Sequence, residues 1–475
     1  MVRFAYTIMC LSDLRKKIAT RPILSIFLLA LGLRLLVAYV AFGQVQFNTE
    51  RFIEVIKVDG YYNIAVNLWQ HGVFSLGTAT GLPLDSSRTP GYPGLIFVSL
   101  WLTKSIWLLM VAQLIVASLL PVLVGRLGRM AGLPERFNIV AMLLLAIDPF
   151  GLSVSVKLFT ETWFTLALLV AITQLVVGIN RMKMQAEERF PIAPWLLAGF
   201  LLGVATLFRP TTTYLAVVLV GAWIAYRLII KKRLYVQWLA LFLVCAWLPI
   251  APWMARNYSV FHTFTYSVIK EQVLYATLAP SILAIKEHRP FSVVQAAYYA
   301  ADGFTDFPAP TVAEAPWFRA RALATIKQYP REFLIVSGIS VATFFTHDGA
   351  LDLLSLCGRG LSPATLPHWL SFVQLSSGER WQSLRTLAQG ALPLIVLDRL
   401  LWIVIALLFF GSIGYQLAQR QLSVVIGLLI LIIAYFSFTT ISNGLSVNAR
   451  FRFPVDGLIL LVIAQGYYSC RQRKA

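Results

Sequence analysis

Charge is scarce in this chain. Only 13% of its 475 residues are Asp, Glu, Lys or Arg, against 58% hydrophobic, and the mean hydropathy is +0.74. So few charges cannot cover the surface of a water-soluble domain of this size, which excludes a soluble globular protein. The apolar runs also lack strict alternation with polar residues, which excludes a membrane β-barrel. Unbroken apolar runs must satisfy their own backbone hydrogen bonds in lipid, as helices. Cysteine is rare: Cys10, Cys245, Cys357 and Cys470 lie far apart, with no disulfide framework and no zinc-ligand spacing. The histidines His71, His262, His288, His347 and His368 are scattered, as surface or interfacial residues are. No Gly-x-x-x-x-Gly-Lys-Ser/Thr phosphate loop and no His-Glu-x-x-His motif occurs.

What the chain does have is an excess of positive charge, formally +19. Much of it sits in short loops beside apolar runs: Arg15, Lys16, Lys17 and Arg21; Arg181 and Lys183; Lys231, Lys232 and Arg233; Arg471, Arg473 and Lys474. That is the positive-inside pattern of a polytopic membrane protein, and it argues against nucleic acid as the partner. A span needs about 20 apolar residues. Candidates are 22–43, 105–125, 138–149 with its continuation, 161–179, 195–208, 214–230, 237–253, 394–416, 422–441 and 455–469. Residues 92–102 reach only about 17 Å, too short to cross, and 333–347 could dip in and return. The expectation is an all-α integral membrane protein, a polytopic bundle of about ten to twelve spans with N- and C-termini inside. Ten is the favoured count, because one extra span alone would invert the basic loops that follow it.

This topology implies a cytoplasmic N-terminus (1–21), with 22–43 as a retained anchor, and an N-terminal transmembrane catalytic module (22–253) that includes the outer loop 44–91. A long outer loop (254–332) and a C-terminal transmembrane region (333–475) follow. Loops as long as 254–332 are usually lids or binding surfaces. Short interfacial helices are expected at Val293–Ala301 and Pro316–Tyr329.

The chemistry concentrates on the outer face. Asp59 opens a polar segment right after the first span. It reads either as a cap on the helix that follows or as a general base taking a proton from an attacking hydroxyl. Arg88 lies in the turn Arg88-Thr89-Pro90-Gly91-Tyr92-Pro93, either a solvated loop arginine or a phosphate clamp, since a guanidinium offers a fork of donors to phosphate oxygens. Arg209, Arg256, Arg450 and Arg452 each end or precede a span. Singly they read as snorkelling anchors; together they put cations where the positive-inside rule places few, which favours an anion site. Glu161 reads as a second functional carboxylate or as the i,i+4 partner of Lys157 on one helix face. Arg34, inside the first span, is expected to find a buried structural partner.

Asp59-Gly60-Tyr61-Tyr62-Asn63-Ile64-Ala65, followed by Arg88-Thr89-Pro90-Gly91-Tyr92-Pro93, resembles the first outer loop of the GT-C glycosyltransferases. More narrowly, it resembles the branch with protein O-mannosyltransferases and the lipid A aminoarabinose transferase. Thr160-Glu161, Phe208-Arg209-Pro210-Thr211, Pro252-Trp253-Met254-Ala255-Arg256-Asn257 and Arg450-Phe451-Arg452-Phe453-Pro454 follow in the family's order. The resemblance implies inverting transfer of a sugar from a polyprenyl-phosphate donor, such as an undecaprenyl phosphate sugar, to a hydroxyl of a lipid, glycan or protein acceptor. The expected setting is the periplasmic side of a cell inner membrane. Asp59 takes the place of the family's loop acid, the base. Arg88, Arg209 and Arg256 would hold the lipid phosphate, with Tyr62, Glu161, Arg450 and Arg452 as further substrate-binding candidates. Family members often carry two adjacent acids in this loop. Here Gly60 follows Asp59, which leaves a divalent cation optional and Glu161 as a candidate second carboxylate. The alternative reading is a transporter or flippase of a lipid-linked sugar or another anion.

Overall fold

The computed structural model describes residues 22–77, 82–184, 190–308, 310–359, 376–388 and 392–472. The expected N-terminal segment 1–21, with Cys10 and its basic cluster, lies outside the described residues, as do His368, Arg473 and Lys474.

The regular structure of the described residues is all helical, apart from two isolated bridges, Lys57–Leu158 and Ser75–Leu84. Seven helices are long and apolar enough to cross a membrane: Pro22–Gln44, Trp107–Met130, Glu161–Met184, Pro210–Ile229, Pro393–Ala418, Val424–Ser446 and Ala449–Gln472. Three bent pairs raise the count to as many as ten: Glu135–Ile147 with Pro149–Val156 (53°), Val236–Trp247 with Ala251–Phe261 (53°), and Pro330–Thr346 with Ala350–Leu356 (64°). The chain is a multi-pass membrane protein. One detail differs from the sequence expectation. The run expected at 195–208 forms Ile192–Phe208, whose 17 residues reach about 25 Å, less than the hydrocarbon thickness of roughly 30 Å. The doubtful run at 333–347 becomes the first half of a bent pair. The run at 92–102 forms Gly91–Thr103, again too short to cross.

Bending a span frees backbone N–H groups inside a medium without water, so each needs an acceptor. At one break Asp148 caps the second half, its Oδ2 accepting from the Gly151 N–H at 2.6 Å. At another, Asp398 Oδ2 accepts from Gly349 N–H at 2.8 Å and from Ala350 N–H at 3.0 Å. Arg34 is buried and donates to the Ala30 and Ala146 carbonyls, so its structural partners are main-chain oxygens.

The region after Phe261 is built from short helices, among them Ile269–Val273, a π-helical turn Leu274–Leu278, Ala279–Glu287, Phe291–Ala301 and Ala315–Gln328. Tyr275, Tyr298, Tyr299 and Phe318 hold them together in an aromatic core. This region packs over one end of the bundle. There, Glu161–Met184 and Ala449–Arg452 begin, and Ile192–Phe208 and Val424–Thr439 end. The basic residues Arg181, Lys183, Lys231, Lys232, Arg233 and Arg471 lie at or beyond the other ends of their helices. In a background free of the four native cysteines, single cysteines replacing the exposed residues Lys232 and Ser292 should react with a membrane-impermeant maleimide from opposite sides. Labelling of both from the same side of intact cells would break this two-ended arrangement.

Candidate active site

Two consecutive residues with positive φ turn the chain at the start of the site: Asp59 at 56° and Gly60 at 74°. A non-glycine residue held there carries backbone strain on the order of 1–3 kcal/mol, which surrounding contacts must hold in place. Part of that support is close by: the Leu158 N–H donates to the Ile56 carbonyl at 2.9 Å. Gly60 is the N-cap of Tyr61–His71 and no side chain caps that helix, so Asp59 is not its cap. A Cβ on residue 60 would stand 2.2 Å from Leu76 Cδ2 and would also need the positive φ. A second acidic side chain next to Asp59 would therefore be strained by the backbone and would have to displace Leu76.

The second carboxylate comes instead from Glu161. Residues 157–160 are not helical, so Lys157 and Glu161 do not share a helix face, and the expected i,i+4 pair does not form. Lys157 pairs with Asp352 at 2.7 Å. Glu161, fully buried, pairs with Arg209 Nη1 at 3.2 Å and with Arg450 Nε, and takes a Thr160 hydroxyl bond of 3.3 Å. Arg450 reaches on to Asp59, Nη2 to Oδ2 at 2.6 Å. One guanidinium thus bridges two carboxylates from segments about a hundred residues apart, and itself comes from the start of the last span, far along the chain from both. Its Cζ sits 4.3 Å over the Phe159 ring. Arg209 lies against Phe164 and Phe451.

The Arg88 turn is built into the same corner. The Asp85 carboxylate accepts from the Ser87 N–H at 2.9 Å and the Arg88 N–H at 3.2 Å. The Thr89 hydroxyl donates to the Phe208 carbonyl at 3.0 Å, beside Arg209. Gly91 packs so closely that a Cβ would lie 2.6 Å from the Leu207 carbonyl oxygen. Arg88 Nε then donates to the Asp59 carbonyl at 2.9 Å. The Thr-Pro-Gly sequence is what docks this arginine onto the end of Ile192–Phe208.

These groups open onto a cavity of about 340 Å³ lined by Asp59, Tyr61, Arg88, Arg209 and Arg450, with Lys270, Gln272, Thr277 and Phe307 from the short-helix region after Phe261. That is within the usual range for a small-molecule site. Burial alone would raise the Asp59 carboxyl, but Arg450, Arg88 and Arg209 outweigh it and hold the group below its ordinary range, ionised at neutral pH.

Three candidates lie elsewhere. Tyr62 packs on the apolar cluster around Ile56 and Ile96; its neighbour Tyr61 faces the cavity. Arg256 donates to the Asp85 carbonyl at 3.2 Å and stacks over Trp253 and Phe74, bracing the turn that carries Arg88. Arg452 is buried in the bundle, paired with Asp456 at 2.8 Å and donating to the Phe344 carbonyl at 3.1 Å. Lys270 and Phe307 carry no local sequence signal; only the folding of the short-helix region brings them here.

No family model and no curated protein matches the chain. Among solved structures, it is similar to the oligosaccharyltransferase of Archaeoglobus fulgidus in the apo form, with a TM-score of 0.47 and 16% identity over 94% of this chain and 52% of that one. It is also similar to the archaeal oligosaccharyltransferase AglB from Archaeoglobus fulgidus in complex with an inhibitory peptide and a dolichol-phosphate, with a TM-score of 0.47 and 14% identity over 94% and 50%. The chain spans about half the length of these structures.

Two outcomes follow for stability. The Asp59 carboxyl titrates lower folded than unfolded, so its pairing adds stability above the unfolded value, about 3.9, and loses it as pH falls through the folded value. The melting-temperature gap between wild type and Asp59→Asn should therefore be constant above about pH 6 and shrink below about pH 4; a gap that grows on acidification contradicts the pairing. Arg452→Ala leaves Asp456 buried and unpaired, and should cost about 3–5 kcal/mol, whereas Arg452→Met with Asp456→Leu should cost far less. Equal losses in the two would mean that Arg452 does not act through Asp456.

Proposed function

We propose that this chain is a membrane glycosyltransferase of GT-C type. It would move a sugar from a polyprenyl-phosphate donor to an acceptor hydroxyl, with inversion, at a site facing the periplasm or cell exterior of an inner membrane. The observation that carries the reading is the cluster Asp59–Arg450–Glu161–Arg209, opening onto a cavity that also receives Arg88 and Lys270. An ionised acid beside a surplus of cations suits an uncharged nucleophile and an anionic leaving group.

The acceptor hydroxyl approaches Asp59. Its oxygen forms the bond to the anomeric carbon from the face opposite the phosphate, while the bond from that carbon to the phosphate oxygen breaks. The proton passes to the Asp59 carboxylate, and the electron pair leaves on the lipid phosphate. Asp59 is a weak base in the resting site. It becomes adequate because the attacking hydroxyl turns strongly acidic once its oxygen bonds to the anomeric carbon. The charge that grows on the phosphate meets Arg88, Arg209 and Lys270. One unit-charge contact at 4 Å is worth about 4 kcal/mol at an effective dielectric near 20, and an already oriented donor needs no reorganisation as charge develops. The Ile269–Glu287 region and Phe307 would close over the bound headgroup as a lid.

The test is transfer of radiolabelled sugar from a panel of polyprenyl-phosphate sugars in proteoliposomes. Asp59→Asn should lower transfer by roughly 100- to 10,000-fold with folding intact, and Arg88→Ala by roughly 100-fold or more. Full activity in Asp59→Asn would remove it as the base. Label that crosses the bilayer without leaving its lipid would replace the transferase with a flippase.

A further inference from the structure

Two carboxylates from separate segments meet at one point in this site. Like charges so placed repel, and one of them would take up a proton unless a cation stood between them. The bridge in this chain is a side chain. Arg450 Nη2 is 2.6 Å from Asp59 Oδ2, its Nε lies on Glu161 Oε1, and Arg209 Nη1 reaches that same oxygen at 3.2 Å. A planar guanidinium offers donors along separate edges, so it can serve two carboxylates at once.

We infer that Arg450 is a resident countercation: its guanidinium holds the position between Asp59 and Glu161 that a divalent cation would otherwise take, and the site works without such an ion. The donor set supports this. A hard divalent cation needs about six oxygen ligands, and two carboxylates can serve it only where waters complete the set, in the space the guanidinium fills. Among the described residues, no group of three or more His, Cys, Asp or Glu side chains is placed to hold a metal. The two carboxylates present already have guanidinium nitrogens on the oxygens that face each other. The remaining charged neighbours on the cavity wall, Arg88, Arg209 and Lys270, are cations that would repel an entering ion. A divalent ion could enter only by expelling Arg450, and that side chain is held. Its guanidinium lies over the Phe159 ring and on both carboxylates, and its backbone is anchored by the main-chain N–H bond to Asn448 Oδ1 at 3.0 Å and the 3.5 Å bond from Arg209 Nη1 to the Arg450 carbonyl. Arg450 is thus a positioning residue. It takes Asp59 Oδ2 and leaves Oδ1 to meet an incoming group.

The decisive experiment is Mn²⁺ binding by the full-length purified protein without any donor, read by the electron paramagnetic resonance signal of free Mn²⁺. Wild type and Asp59→Asn should leave the same free signal. Arg450→Ala should take up one ion per chain, and adding Glu161→Gln should abolish that uptake. Saturable binding of one Mn²⁺ by wild type, lost in Asp59→Asn, would overturn the inference; so would a folded Arg450→Ala that binds none. Should Arg450→Ala fail to fold, the wild-type arm and Arg450→Gln carry the same test. A second arm rests on the transferase reading. EDTA should leave transfer unchanged, Arg450→Ala should lose roughly 100-fold, and added guanidinium ion should restore part of it, with Arg450→Lys in between. Transfer abolished by EDTA and restored by Mn²⁺ in wild type would also overturn the inference. Absence of transfer from every donor would count against the proposed function alone, because the Mn²⁺ arm needs no substrate.

Discussion

The site depends on one guanidinium. Arg450 joins the segment after Pro22–Gln44, through Asp59, to the start of Glu161–Met184, and stands itself at the start of the last span. Each of these charges would be costly alone in a partly desolvated corner of a membrane protein. Together they neutralise one another, and the need to do so fixes where three distant segments can lie. The smaller contacts are consistent with this. The Leu158 N–H on the Ile56 carbonyl sets the two acids' segments side by side, and the Thr89 hydroxyl on the Phe208 carbonyl brings Arg88 to Arg209.

The membrane accounts for many of the remaining charges. Asp148 and Asp398 accept backbone N–H groups freed where spans bend. Arg452 and Asp456 form a closed pair one helical turn apart. These buried charges have a structural task that is complete without a ligand, which separates them from the Arg450 cluster. There, Arg88 and Lys270 face a cavity.

Helices, their approximate ends and the charges that gather at one end of the bundle were legible because apolar length and rare charge are strong signals in such a chain. Asp59, Arg88, Glu161, Arg209 and Arg450 stood out for that reason. The failures are geometric. Residues two apart on a helix face different ways, so Arg450 reaches the site while Arg452 turns into the bundle. Tyr61 and Tyr62 divide in the same manner between cavity and apolar packing. The Lys157–Glu161 spacing implied a shared helix face, but the intervening residues are extended. Gly60 read as a missing acid; the structure shows a turn at positive φ that disfavours any side chain there, and brings in a carboxylate from a hundred residues onward.

A carboxylate gripped by arginines is a poor proton acceptor, which bears on where such a site would gain its rate. Under the proposed reaction, strengthening Asp59 as a base would require weakening Arg450, and the acid's position would be lost with it. Orientation and basicity are therefore opposed here. The cations act with less conflict at the other end of the reaction path. A phosphate gains negative charge as its bond to the sugar breaks, and Arg88, Arg209 and Lys270 are in place before that charge appears, so they favour the transition state over the bound donor. Under that reaction the arrangement would place its selectivity on the anionic leaving group. The acceptor would meet the Asp59 carboxylate, a less exacting contact than the two guanidinium groups and the ammonium that would receive the phosphate.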